Sequence, residues 1–525
     1  MNVRWQRWLP PALAAAVFAL FSLALLPLPG FEDDEVFFSY PIYKGAGIAA
    51  NLHLFGHTIP LMDVSYYGAL KTWLYSVIFS LWPPTRWSVR LPVVILGIAT
   101  IWLTWEWVRK IAGPRAAAFT VALLSTDSMF ILTNTFDWGP VAIQHLLFVG
   151  GLLALQLWLK DRGARWVALA FFLWGLGLWD KALMVWNLGG LAVAAVCVYP
   201  RESWPALRSK AAGIAAVALV AGALPLIAYN IARHGDTAVS NTRLSLSSVP
   251  HKVPELRAVL RGEALFGVIA ANAPGPIQQQ ATALPDQAGS YRTRPFLFAL
   301  ALSAIAWCFL IRRREGRILA FLAVASAVAW LQMAANSSTG GSAHHVILLW
   351  PFPWAIAGIA LAGASERVPK YGRWAIAALV TWFTVANILN TNTYLRNLTR
   401  NGAPTAWTDA SERLAGAISH YRDDPIVTVD WGYITVLRMF YGGDLQLIAI
   451  NGATADQIAA VVPRPNAIFI QHTDNNQIVP GVNERLRAIA AGIGYSEESL
   501  RIVHDDEGRP VFEIFRLTKA RQFAR

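Results

Sequence analysis

The run Glu32-Asp33-Asp34-Glu35 puts four carboxylates directly after the first hydrophobic segment, Trp8 to Pro29. Acids at the mouth of a membrane span cost free energy unless they face water or a site that needs them. A carboxylate within hydrogen-bond reach of a hydroxyl is a general base, so this run could make an alcohol nucleophilic. The same residues could instead open a solvated helix, where acids favour the N-terminal dipole. Adjacent acids also couple, so no single titration belongs to one of them.

The elements that hold such a group are set by composition. Of 525 residues, 55% are hydrophobic and only 14% charged, and the apolar ones fall in long runs. That excludes a soluble enzyme and predicts a polytopic α-helical membrane protein. The net charge of +12 does not signal a nucleic-acid binder, because the basic residues sit in short loops between apolar runs. Such loops hold Arg109, Lys110 and Arg115; Lys160, Arg162 and Arg165; and Arg312 to Arg314 with Arg317. This is the positive-inside pattern, and it predicts a cytoplasmic N-terminus and about eleven crossings of a cell (inner) membrane. Cys197 and Cys308 lie inside apolar runs and suggest neither a disulfide framework nor a metal site.

Parity against the basic loops puts one apolar segment, Tyr67 to Trp82, at the outer surface or re-entering the membrane, since it is short, contains Lys71 and ends in Pro83-Pro84. Ala116 to Thr133, Gly139 to Leu159, Ala211 to Ile231 and Pro295 to Ile311 are among the predicted spans. The outer segments are then residues 30–66, the turn Asn134 to Trp138, the turn at Asp180-Lys181, the long loop 232–294, the turn Asn336 to His345 and everything after Asn390. The long loop, with Arg257, Arg261 and apolar Ala264 to Ile269, reads equally as an interfacial helix or a solvated lid. Residues 1–390 form the transmembrane domain. Residues 391–525 form a small extracytoplasmic α/β domain, with strand-like runs at Ile426, Leu447, Ala467 and Val511 and a helix from Glu484 to Ala491.

Asp34, Glu35, Asp137, Asp180, Lys181, Lys71, Arg86, Arg90, His344 and His345 all come out on one side. In order, several of their motifs resemble the integral-membrane glycosyltransferases of the GT-C fold that use polyprenyl-phosphate sugars. The branch most similar contains protein O-mannosyltransferases and the bacterial lipid A aminoarabinose transferase. The resemblance rests on Asp34-Glu35-Val36-Phe37-Phe38, on Tyr67-Gly68-Ala69-Leu70 leading to Arg90-Leu91-Pro92, on Phe136-Asp137-Trp138-Gly139-Pro140 and on Gly177-Leu178-Trp179-Asp180-Lys181. It departs at Gly68-Ala69-Leu70, where the family usually has prolines. It implies an inverting transfer of a hexose or pentose from a polyprenyl-phosphate donor to a lipid, glycan or protein acceptor beside the membrane lipid. Asp34 is then the base, with Glu35 and Asp137 as further catalytic carboxylates.

Independently of the family, a phosphate leaving group is stable as an anion and needs nearby cations more than a general acid. Lys71, Arg90 and Lys181 are the candidates for the donor phosphate. His344, His345 and Asp180 are candidates for substrate contact. Each has a plainer role: Asp137 as a helix cap, Lys71 snorkelling to headgroups, Lys181 paired with Asp180, and the histidines packing a helix end. Two adjacent histidines lacking a third ligand do not make a zinc site. No metal ligand or cofactor is assigned, and a divalent-metal requirement is left open. The competing class is a transporter or flippase of an anionic lipid or solute. Against it stand the absence of repeated halves and the clustering of candidates at one face.

Overall fold

A computed structural model describes residues 3–43, 48–272, 303, 306, 307, 310 and 313–519. Six of its helices are long and apolar enough to cross a membrane, or up to eight if each bent pair is one span. The expected count of eleven is not reached among the described residues. Much of the difference comes from interruptions that a hydropathy window does not register.

The predicted span Ala116 to Thr133 is two helices, Pro114–Thr126 and Ser128–Thr133. Asp127 is extended, and its Oδ1 accepts the Phe130 N–H at 2.8 Å, so it ends one helix and caps the next. Its Oδ2 accepts the Trp354 indole N–H at 3.1 Å, which makes it a buried structural acid. The span Ala211 to Ile231 breaks into Lys210–Gly222 and Leu224–Ala232, bent by 70°, with Pro225 in the first turn of the second. The predicted span Pro295 to Ile311 lies largely outside the described residues, as does Cys308.

Other boundaries follow local chemistry. Helix Arg86–Ala112 starts with a capping box, in which Thr85 and Ser88 each bind the other's backbone N–H, and it stops at Gly113. The segment expected to lie at the outer surface or to re-enter the membrane forms helix Leu70–Leu81. In the long loop, Val249–Arg261 is a helix that carries Arg257 and Arg261, and beside it Leu265, Phe266 and Ile269 are buried, with Phe266 stacked on Tyr394 at a ring-centroid distance of 3.6 Å.

The loop after the quartet folds into an antiparallel sheet of β1 (Ala50–Leu54), β2 (His57–Val64) and β3 (Tyr67–Gly68). Helix Lys370–Asn401 continues past the expected boundary at Asn390, burying Asn390, Tyr394 and Asn397. The C-terminal unit begins after it. Its sheet contains β4 (Ile426–Thr428), β5 (Leu447–Ala449), β6 (Ile468–His472), β7 (Tyr495–His504) and β8 (Pro510–Lys519), in the order β5-β4-β6-β8-β7. The first three strands are mutually parallel, while β8 and β7 add antiparallel.

This unit docks on the quartet. Gly30 N–H donates to Trp407 O at 2.8 Å, and a Cβ on Gly30 would stand 1.9 Å from Thr408 O, so only glycine permits the approach. Phe31 packs on Phe440, and Phe136 on Trp407.

Candidate active site

The quartet forms the short helix Asp33–Val36, capped by Glu32, whose Oε2 accepts the Glu35 N–H at 3.0 Å. It is a helix start but not a solvated one: Glu32, Asp33 and Glu35 are all under 5% exposed. Three of the four acids therefore have internal work. Asp33 Oδ1 accepts the Thr435 N–H of the C-terminal unit at 2.9 Å. Burial pushes Asp33 up to about 6, opposed by that bond. Glu32 is raised well above the usual carboxylate range by burial and by Asp34 and Asp33.

Glu35 is locked to Arg90. The guanidinium gives Nε to Oε1 at 2.7 Å and Nη2 to Oε2 at 2.8 Å, and its other N–H groups reach Leu26 O, Pro29 O and Gly30 O. All five donors are used inside the protein. Arg90, expected at the donor phosphate, instead clamps the first loop against helix Arg86–Ala112, because it is fully buried with a carboxylate in reach. Arg86 pairs with Glu412 at 2.5 Å, a second tie to the C-terminal unit.

Asp137 and Lys71 are likewise paired with each other, at 2.7 Å. Asp137, at a φ of +44°, caps helix Val141–Asp161 by accepting the Val141 and Ala142 N–H groups through Oδ1, both at 2.8 Å. Lys71 also donates to Glu35 O at 3.3 Å and lies over the Phe38 ring. The buried position leaves Lys71 no route to snorkel. Asp180 does not pair with Lys181; its Oδ2 accepts from Gln144 Nε2 at 2.9 Å.

Asp34 and Lys181 remain. Asp34 is half-buried and takes no part in an ion pair or backbone hydrogen bond among the described residues. Burial raises it above the usual range, while the Lys181 ammonium and the Trp138 indole beside it draw it back down. Lys181 is fully buried, and its Nζ has no hydrogen-bond partner among the described residues. Burial lowers it to about 8, offset by Asp137, Asp34 and Asp180. Its position is fixed by the backbone: Lys181 bridges antiparallel to Tyr67, and Ala182 N–H donates to Tyr66 O at 3.0 Å. Its Nζ sits 4.9 Å from the centroid of the Tyr67 ring.

Gly139 closes this wall. Its φ is +65°, and a Cβ there would stand 2.8 Å from the Tyr67 hydroxyl and 3.0 Å from Lys181 Nζ. His344 joins the same wall through Trp138, with ring centroids 4.6 Å apart, and its buried Nδ1 has no partner among the described residues. His345 lies one step back, accepting the Gly340 N–H at 3.2 Å. Asp34, Lys181, Trp138, Tyr67 and His344 thus share one surface. Trp138 and Tyr67 were not singled out as site residues from sequence, although both stand in motifs that carry the resemblance, Trp138 next to Asp137 and Tyr67 four positions before Lys71.

A carboxylate with no structural commitment beside an unbonded ammonium can take a proton and stabilise a leaving anion. Asp409, Asp505 and Glu507 also bring carboxylate oxygens within 4.8 Å of one another. Arg509 pairs with Asp505 and Glu507, which accounts for that cluster.

Residues 69–229 match the sequence model of a family described as dolichyl-phosphate-mannose-protein mannosyltransferase. Among solved structures, ArnT from Cupriavidus metallidurans bound to undecaprenyl phosphate is similar with a TM-score of 0.62 at 13% identity, over 96% of this chain and 97% of that one. The Archaeoglobus fulgidus oligosaccharyltransferase in its apo form has a TM-score of 0.56 at 13% identity, over 99% of this chain and 75% of that one. The arabinofuranosyltransferase AftD from Mycobacteria has a TM-score of 0.52 at 15% identity, over 98% and 40%. No curated protein matches in sequence. The chain is an integral membrane protein with a GT-C-like fold, and its segment holding Lys71, Arg90, Asp137 and Lys181 carries the pattern of the dolichyl-phosphate-mannose-protein mannosyltransferase family.

Proposed function

We propose that the protein is a glycosyltransferase that moves a hexose or pentose from a polyprenyl phosphate to a hydroxyl or similar group of a lipid, glycan or protein, at the extracytoplasmic membrane face. The observation that carries this reading is the division of labour in the quartet: Glu32 caps, Asp33 and Glu35 are bound, and Asp34 alone is left beside Lys181. The relatives add to it. ArnT was solved with undecaprenyl phosphate, and the archaeal AglB with dolichol phosphate.

In this mechanism the Asp34 carboxylate takes the acceptor proton as the acceptor oxygen attacks the anomeric carbon. The bond from that carbon to the phosphate oxygen breaks on the opposite side, so configuration inverts. The electron pair leaves with the phosphate, whose charge Lys181 offsets, with His344 and Trp138 lining the approach. Arg90 and Lys71 act one step away: Arg90 positions Glu35, and Lys71 holds Asp137 and the helix it caps.

The test is mass spectrometry of lipids and surface glycans from cells carrying wild type or Asp34→Asn. A sugar missing only in the variant supports the reading and names the product. An unchanged glycan profile with a correctly folded variant overturns it.

A further inference from the structure

The ends of the bundle differ in sign. Arg90 and Lys110 lie twenty residues apart on helix Arg86–Ala112, about 30 Å at helical rise, so Lys110 marks the end away from Asp34. Lys160 closes helix Val141–Asp161, whose start Asp137 caps, and belongs to the same far end. Together with Arg313, Arg314, Arg317 and Tyr199, these two lysines line a cleft of about 830 Å³.

Among the described residues one of these cations is in an ion pair, while Lys110 also feels the Glu106 carboxylate on its own helix. Arg317 pairs with Glu202 at 2.8 Å and lies 4.3 Å from the Tyr199 ring centroid. Lys110, Lys160, Arg313 and Arg314 form no ion pair among the described residues. Topology alone asks for basic residues at one end of the spans, and charges splayed into solvent would meet that demand. Several uncompensated cations turned onto one concave surface repel one another and concentrate a positive potential, which an anion relieves. The walls between them are apolar, from Leu159 and Ile318. A phosphate with hydrocarbon attached fits that alternation better than free phosphate does.

We propose that this cleft binds the phosphate headgroup of an anionic phospholipid, at the membrane interface opposite the acidic site. Basic pockets between transmembrane helices recognise such headgroups, with the acyl chains remaining in the bilayer.

The full-length protein, released from nanodiscs of mixed phosphatidylcholine and phosphatidylglycerol, can be read by native mass spectrometry for retained lipid. Wild type is expected to retain phosphatidylglycerol over phosphatidylcholine. Lys160→Gln and Arg314→Gln should each weaken that retention about five-fold. Arg313→Gln, at a position exposed like Lys160 and Arg314, supplies an independent reading if either variant folds poorly. Arg115→Gln, at the same end but paired with Glu366 and outside the cleft, should change nothing. Equal losses in the Arg115 variant would reveal a diffuse field and overturn the site, as would unchanged retention in the cleft variants. Displacement of the lipid by inorganic phosphate at matched concentration would overturn the assignment to a lipid.

Discussion

Arg90 and Glu35 meet in a two-point pair, at 2.7 and 2.8 Å, with both side chains out of contact with solvent. Removing one partner of a buried pair leaves an uncompensated charge and costs about 3–5 kcal/mol. Arg90→Met should therefore lower the unfolding temperature in detergent sharply. Arg90→Met with Glu35→Leu should lower it less than the sum of the single changes. A stable Arg90→Met protein with a raised KM for donor alone would return Arg90 to the phosphate.

Neighbouring acids should separate by readout. Asp34→Asn is expected to reduce kcat by 10²–10⁴-fold, the usual range for loss of a general base, with an unchanged melting temperature. Asp33→Ala strands the Thr435 N–H and should cost about 1–3 kcal/mol of stability while sparing the chemical step. Rates on purified protein alongside thermal unfolding distinguish the two. Equal rate losses at both positions would remove Asp34 from its special role.

The pH profile of kcat/KM should be bell-shaped. Asp34 must be ionised to accept a proton, so the rate rises with pH through a value above the ordinary carboxylate range, set by burial. Lys181 must be protonated to stabilise the leaving phosphate, and burial lowers it to about 8, so the rate falls above that pH. Lys181→Arg should shift the alkaline limb upward, because arginine stays charged. Lys181→Gln should abolish that limb and slow donor use at every pH.

Gly139→Ala tests how closely the wall is fitted. The positive φ disfavours alanine by about 1 kcal/mol, and the added methyl presses on the Tyr67 hydroxyl and Lys181 Nζ. A drop in activity with little loss of melting temperature is the expected result. Wild-type kinetics would mean that Lys181 need not be held where it is.

The C-terminal strands at Ile426, Leu447, Ala467 and Val511 were legible because each is a short, mostly apolar run, rich in β-branched or aromatic residues at Ile426, Ala467 and Val511. β7 was not: Tyr495–His504 is polar and largely exposed along its length, an edge strand held by pairing with β8 rather than by burial of its own side chains. Helix breaks at Asp127 and Pro225 escaped the hydropathy window because a single cap or proline barely alters the mean of a long apolar run.

Composition and the order of motifs alone determined a membrane chain with acids and cations gathered at one end, since burial in lipid constrains residue type over long stretches. Sequence also brought out the pair Asp34-Glu35. Only the tertiary structure divided their labour, because whether a charge is free or bound depends on partners that the chain brings in from far away. Arg90 reaches Glu35 across 55 positions, Thr435 reaches Asp33 across 402, and Lys181 is set against Tyr67 by a backbone bridge. Those contacts turn four adjacent acids into three structural ones and one, Asp34, left beside a buried ammonium.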